Sequence, residues 1–186
     1  MCSGTLRNLR TYSNACSIVH AVEMVLELTA KYPPVTTSSE STTSTGSLSV
    51  SDETTIVAHT TPLQEWSWPE YGVDLVIGMW SLCYLSWPDL NDLLARIYCS
   101  LRAGGRVIIN EPILEDVDVL DERYQEEPKQ QMIVRSLGLY LELFKHHKLD
   151  ATISEMDGAK HELMGSDRLV MFVLKKAGDE ALLVRL

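Results

Sequence analysis

Residues 71–112, YGVDLVIGMWSLCYLSWPDLNDLLARIYCSLRAGGRVIINEP, decide the fold. They read as a strand, a crossover helix and a returning parallel strand. DLVIGM (74–79) is an almost unbroken apolar run without strict alternation, as expected of a central parallel strand covered on both faces. Ser86 and Asp89 are spaced as a capping box, Pro88 sits in the first turn, and Gly104-Gly105 follow as a stop. Leu90, Leu93, Leu94, Ile97 and Leu101 recur at helical spacing and form one apolar stripe, which must lie on a sheet. RVIIN (106–110) returns as a β-branched strand, and a right-handed crossover sets it beside the first. The result is half of a doubly wound α/β domain, in which ligands sit beyond the carboxyl ends of the strands. Residues 79–85 and 110–112 therefore line any site.

Upstream, a turn-like CSGT precedes an expected helix over 6–15, and SIVHAVE (17–23) reads as a strand ending in a carboxylate. A second helix is expected over 24–31, stopped before Pro33-Pro34. A glycine turn, a helix, a strand and an acid in this order begin a nucleoside-binding unit, in which the acid accepts hydrogen bonds from ribose hydroxyls. Glu23 is that acid, or else a solvated strand-end glutamate. Residues 36–55 are dominated by Ser and Thr and read as a mobile surface insertion. TIVAH (55–59) is a short strand. In the loop after it, Leu63, Trp66 and Trp68 either pack against a flat ring or cover the core edge.

Downstream, residues 111–127 are strongly acidic, which suggests either a grip for a cationic substrate or a solvated loop. Residues 130–148 read as a helix with Ile133, Leu137, Tyr140, Leu141 and Phe144 inward, although Gly138 weakens it. ATISEM (151–156) and RLVMFVLKK (168–176) read as antiparallel strands, because the connection between them is too short for a packed crossover helix.

A length of 186 residues suits one domain with a sizeable core. The net charge of −10 argues against a nucleic-acid partner, which requires a basic face, and favours basic partners or simple solubility. No apolar run is long enough to span a membrane and residues 1–12 are polar, so an intracellular chain without a membrane partner is expected. The four cysteines show no paired spacing and the histidines include one adjacent pair, so no metal site is expected.

The terminal hairpin, together with DLVIGMW and LRAGGRVIINEP, resembles the class I methyltransferases that use S-adenosylmethionine. More narrowly, LQEW (63–66), GMWSLCYL around Trp80, and IVRS with YLELF between residues 133 and 144 resemble the alpha-N-terminal protein methyltransferase family. Members of that family methylate the free α-amine of proteins beginning X-Pro-Lys. The resemblance implies a three-layer Rossmann-like sheet, mostly parallel with a C-terminal antiparallel hairpin, and S-adenosylmethionine as cofactor. It places the middle glycine of the cofactor loop at Gly4, the following arginine at Arg7, the ribose acid at Glu23 and adenine contacts at Leu63 and Gln64. Trp80 matches the wall of the substrate channel, or else is a core aromatic after a strand, and Glu111 matches an acidic position beside the reacting amine. Substrate-gripping aspartates of the family, counted back from Arg135, fall on Glu127 and Gln130, for a basic protein N-terminus as partner.

The departures bear on activity. The family pattern has a strand before a G-x-G-x-G loop. Here the sequence reads CSGTL, with one glycine left and a branched Leu6 where the backbone must make room, and the first strand is expected to be missing. Pro112 replaces an amide-bearing asparagine, and Gln130 neutralises one acid. A non-catalytic remnant acting as an interaction module, and a methyltransferase of another substrate class, therefore stand beside methyl transfer to a protein N-terminus.

Overall fold

A computed structural model describes residues 17–23, 45–49, 55–69, 72–114, 122–127, 130–155 and 168–177. The chain divides into two compact units, Met1–Ser67 and Trp68–Leu186.

The first unit carries a three-stranded sheet of β1 (Ile18–Glu23), β2 (Thr45–Ser49) and β3 (Thr55–Thr60) in the order β1-β3-β2. The β-branched residues Ile18, Val19, Val22, Ile56 and Val57 favour this extended backbone. β1 and β3 run parallel, from Ile18 opposite Thr55 to Glu23 opposite Thr60, as two neighbouring strands of a doubly wound sheet should. Ala21 and Val22 are buried. The expected surface insertion is corrected in part, because Thr45–Ser49 is a strand antiparallel to β3. Serine and threonine bury little, but a strand needs only backbone partners, and a polar strand protects the edge it covers. The helices expected over 6–15 and 24–31 lie outside the described residues, as does the CSGT turn.

The second unit is built on β5 (Leu101–Leu114). Along one edge β5 takes β9 (Arg168–Lys176) antiparallel, from Val107 opposite Leu174 to Ile113 opposite Arg168. Along the other edge it changes partner. β4 (Val73–Met79) runs parallel to it as far as Met79 opposite Asn110, and β7 (Gln130–Ser136) joins parallel at Ile113 and Leu114. β6 (Glu122–Glu127) pairs antiparallel with β7, and β8 (Leu149–Glu155) completes the expected terminal hairpin with β9. β4 is less enclosed than its apolar run predicts. Among the described residues it pairs with β5 alone, and Leu75 is 38% exposed while Val76 and Gly78 are buried.

The crossover helix α1 (Trp87–Ser100) starts where the sequence says it should. Ser86 is its N-cap, accepting from the Asp89 N–H at 3.4 Å and donating to the Asp89 carboxylate at 2.6 Å, with Pro88 in the first turn. Leu90, Leu93, Leu94 and Ile97 form its buried stripe. Its end differs from the glycine stop. Leu101 caps the helix, its N–H bonding the Ile97 carbonyl, and Gly104-Gly105 fall instead in the register shift at the start of β5, where Val73 pairs with Leu101 and Leu75 with Arg106. Gly104 has φ +78, a conformation that glycine adopts without a Cβ penalty.

The helix expected over 130–148 is corrected to a strand followed by a shorter helix, α2 (Leu137–His146). Met132, Ile133 and Val134 are consecutive, buried and partly β-branched, which suits a strand, and Ser136 caps the helix by accepting from the Leu139 N–H at 3.2 Å. Gly138 therefore falls in the first turn rather than mid-helix. Tyr140 and Phe144 of α2 pack on Phe172 of β9 with ring centroids 5.5 and 5.2 Å apart. The acidic stretch is likewise corrected in part: Glu122–Glu127 is a strand, and residues 115–121 lie outside the described residues.

Candidate functional site

Between Asn110, the last residue of β5 to face β4, and Ile113, the first to face β7, the edge of β5 is left to the turn that follows β4. The Trp80 N–H bonds the Asn110 carbonyl at 2.8 Å and so carries the β4 ladder one residue further. Trp80 then takes φ +52, a left-handed conformation strained for a bulky side chain, and the chain coils into one 3-10 turn, Leu82–Tyr84. That strain, about 1–2 kcal/mol, persists only where the surroundings over-determine the backbone.

They do so through two buried charges. The Glu111 carboxylate accepts the N–H groups of Ser81, Leu82 and Cys83 at 2.7, 2.8 and 3.1 Å, which are the orphan donors of the turn. The Arg135 guanidinium donates to the carbonyls of Leu82 and Leu85 at 3.1 and 2.7 Å. Both side chains are fully buried. Burial pushes the Glu111 carboxyl up to about 7, with the N–H groups of Leu82 and Ser81 pulling the other way. Cys83 is also fully buried, and burial together with the Glu111 charge pushes its thiol well above the usual range, so it is no nucleophile. Trp80 is partly buried and packs on the cluster of Cys83, Leu114, Met132 and Val134.

Trp80 and Glu111 are thus brought together at the carboxyl end of β4, beside β5, which runs on past Glu111 to Leu114 and is longer than the RVIIN strand read in sequence. Glu111 lies beneath the turn, with both oxygens engaged by the backbone, rather than on its open side. Glu127 and Gln130 face each other across β6 and β7, five residues before Arg135 and roughly 16 Å from it along the strand. In the first unit, Glu23 ends β1 opposite Thr60, and the loop beyond β3 carries Leu63, 7% exposed, and the exposed Gln64. Gly4 and Arg7 lie outside the described residues. The grip of Arg135 was missed in the sequence. Its signal was an arginine closing the apolar run Met132-Ile133-Val134, because a charge carried into a core must find partners there.

Among the described residues no group of three or more His, Cys, Asp or Glu could hold a metal ion, and no helix is long and apolar enough to cross a membrane.

No protein-family profile and no curated protein matches the sequence. Solved structures do match in fold. A SAM-dependent methyltransferase from Leishmania major superposes with a TM-score of 0.61 at 14% identity over 86% of this chain, which spans only 55% of that one. The 1,6-didemethyltoxoflavin-N1-methyltransferase of Burkholderia thailandensis, with bound 1,6-didemethyltoxoflavin and S-adenosylhomocysteine, gives 0.66 at 15% identity over 94% of this chain and 68% of that one. An S-adenosylmethionine-dependent methyltransferase from Mesorhizobium loti gives 0.66 at 12% identity over 94% and 88%. The chain has the Rossmann-like fold of class I methyltransferases.

Proposed function

We propose that this chain binds S-adenosylmethionine and transfers its methyl group to the α-amine of a protein N-terminus. The observation that carries the reading is the Trp80 turn, a strained aromatic held by two buried charges at the carboxyl end of β4, the edge where ligands of open α/β sheets sit. The cofactor would be held by Gly4, Arg7, Glu23, Leu63 and Gln64. Of these, Glu23 ends a parallel strand and Leu63 and Gln64 follow its neighbour, which is where a ribose acid and adenine contacts belong. When bound, the cofactor supplies an electrophilic methyl group on a sulfonium.

The protein's part is orientation. An α-amine titrates near 8, so much of it is neutral at mildly alkaline pH, and holding it in line supplies most of the acceleration. Trp80 walls the amine's approach. Glu111 fixes that wall from beneath, its carboxylate bonded to the backbone N–H groups of Ser81, Leu82 and Cys83. Glu127, with Gln130 opposite it, would meet the basic residues of the peptide, consistent with the net charge of −10.

A panel of peptides varying the first three residues, assayed with labelled cofactor, tests this. Methylation that needs a free α-amine and weakens without Pro-Lys is the expected result. Transfer to small amines in preference to any peptide would replace the substrate class. One observation favours a second reading, a non-catalytic binding module. Both Glu111 oxygens are taken by backbone N–H groups and Pro112 beside it offers no side-chain hydrogen bond, so the closed turn leaves no proton acceptor there.

A further inference from the structure

In the parallel pair of β1 and β3, Val22 lies opposite His59 and His20 opposite Val57, so the two histidines sit on one face, diagonal to each other. His20 Nδ1 and His59 Nε2 are 3.0 Å apart. The ring centroids are 5.3 Å apart and the ring planes differ by 20°. The excess of centroid over nitrogen separation is about the sum of two imidazole radii. The rings therefore meet edge to edge, nearly coplanar, with each nitrogen aimed along the line to the other. Trp66 lies against both, its ring centroid 5.9 Å from that of His20 and 5.4 Å from that of His59. The median of that triangle sets the point between the nitrogens about 5 Å from the indole, within cation–π range.

Two imidazoles aimed head-on share one proton in a hydrogen bond, and what fits the same axis is a cation that prefers linear coordination. A tetrahedral divalent ion needs lone pairs converging at an angle, and among the described residues no further His, Cys, Asp or Glu stands by to complete such a set. We propose that His20 and His59 form a two-coordinate site for a soft monovalent cation, Cu+ or its analogue Ag+, covered by Trp66.

Metal–imidazole bonds of about 2 Å require the nitrogens to part to about 4 Å. His20, exposed on β1, is free to swing that far. No proton is released on binding: the ring that donated the shared proton moves it to its own remote nitrogen, so both rings stay neutral and the site gains the charge of the ion. Burial and the neighbouring histidine hold His59 down to about 4, and burial lowers His20. Protons therefore do not compete near neutral pH, and the metal is lost on acidification.

The test is silver nitrate titration of the full chain in chloride-free buffer, continued past the four thiols and followed by ¹H–¹⁵N spectra of the histidine rings and by tryptophan fluorescence. Coordination should shift His20 Nδ1 and His59 Nε2 together, leave their remote nitrogens protonated, and change the Trp66 emission. His59→Gln and His20→Gln should each abolish these changes while silver uptake by the thiols persists. If one variant fails to fold, the other still decides. Ring nitrogens unmoved in silver excess, or His20 signals that shift equally in His59→Gln, would overturn the proposal. A response to Zn²⁺ as strong as to Ag+ would overturn the linear geometry.

Discussion

Glu111 and Arg135 grip opposite ends of one turn. The carboxylate takes the N–H groups of Ser81, Leu82 and Cys83, and the guanidinium takes the carbonyls of Leu82 and Leu85. The signs follow the dipole of a helical turn, negative charge at its N–H end and positive at its carbonyl end. β5 and β7 supply the two residues, and Arg135 stands opposite Ile113, two residues beyond Glu111. The partner change along β5 is thereby what fixes Trp80.

Stability should fall with rising pH because of Glu111. Its folded pKa of about 7 lies above the ordinary 4.5, so the folded state holds the proton more tightly. The contribution is present in full below about 4.5 and is lost as pH rises through 7, a swing on the order of 3 kcal/mol. His59, held down to about 4, acts in the opposite sense, its contribution being lost as pH falls from 6.5. The difference between wild type and Glu111→Gln isolates the carboxylate. From pH 5 to pH 8 the urea midpoint should rise more, or fall less, in the variant than in wild type, and an equal change would exclude Glu111 as the source.

Arg135→Met should destabilise by about 3 kcal/mol, because it strips the buried carbonyls of Leu82 and Leu85 of their charged donor. Arg135→Lys should recover only part, since one ammonium does not reproduce the fork that reaches both carbonyls. Urea unfolding checks both, and a loss under about 0.5 kcal/mol for Met would mean that the turn holds without the grip.

The two glycines between α1 and the body of β5 should respond differently to alanine. A Cβ on Gly105 would meet Leu101 Cγ at 2.8 Å and the carbonyl oxygens of Arg102 and Asp74 at 3.0 and 3.2 Å, so backbone must shift and about 1–3 kcal/mol is lost. A Cβ on Gly104 meets nothing within 4 Å, and its φ of +78 alone costs about 1 kcal/mol. Thermal melting should rank Gly105→Ala below Gly104→Ala, and the reverse order would contradict the packing.

Much of this was legible because local signals agreed with tertiary ones. The strand over Val73–Met79, the cap at Ser86 and the hairpin of β8 and β9 each carry their own chemistry in sequence. The strand Gln130–Ser136 was misread because Ile133, Leu137, Tyr140 and Phe144 happen to continue one helical stripe across a strand and the helix after it. Ser136, a cap in mid-run, was the overlooked mark. β2 was hidden because its pairing is made by backbone, to which a Ser/Thr-rich sequence gives no apolar signature. The role of Glu111 was half legible. Its place at a strand end follows from sequence, but that its carboxylate would turn under the backbone depends on the orphan N–H groups of a turn no pattern announced.

Titration of the folded full chain with S-adenosylhomocysteine in a calorimeter tests the central claim most directly, since the product binds without turnover and needs no acceptor. Saturable heat in the micromolar range at one site is the expected result. No heat from a chain shown by circular dichroism to be folded would contradict cofactor binding and leave the fold serving as a binding module.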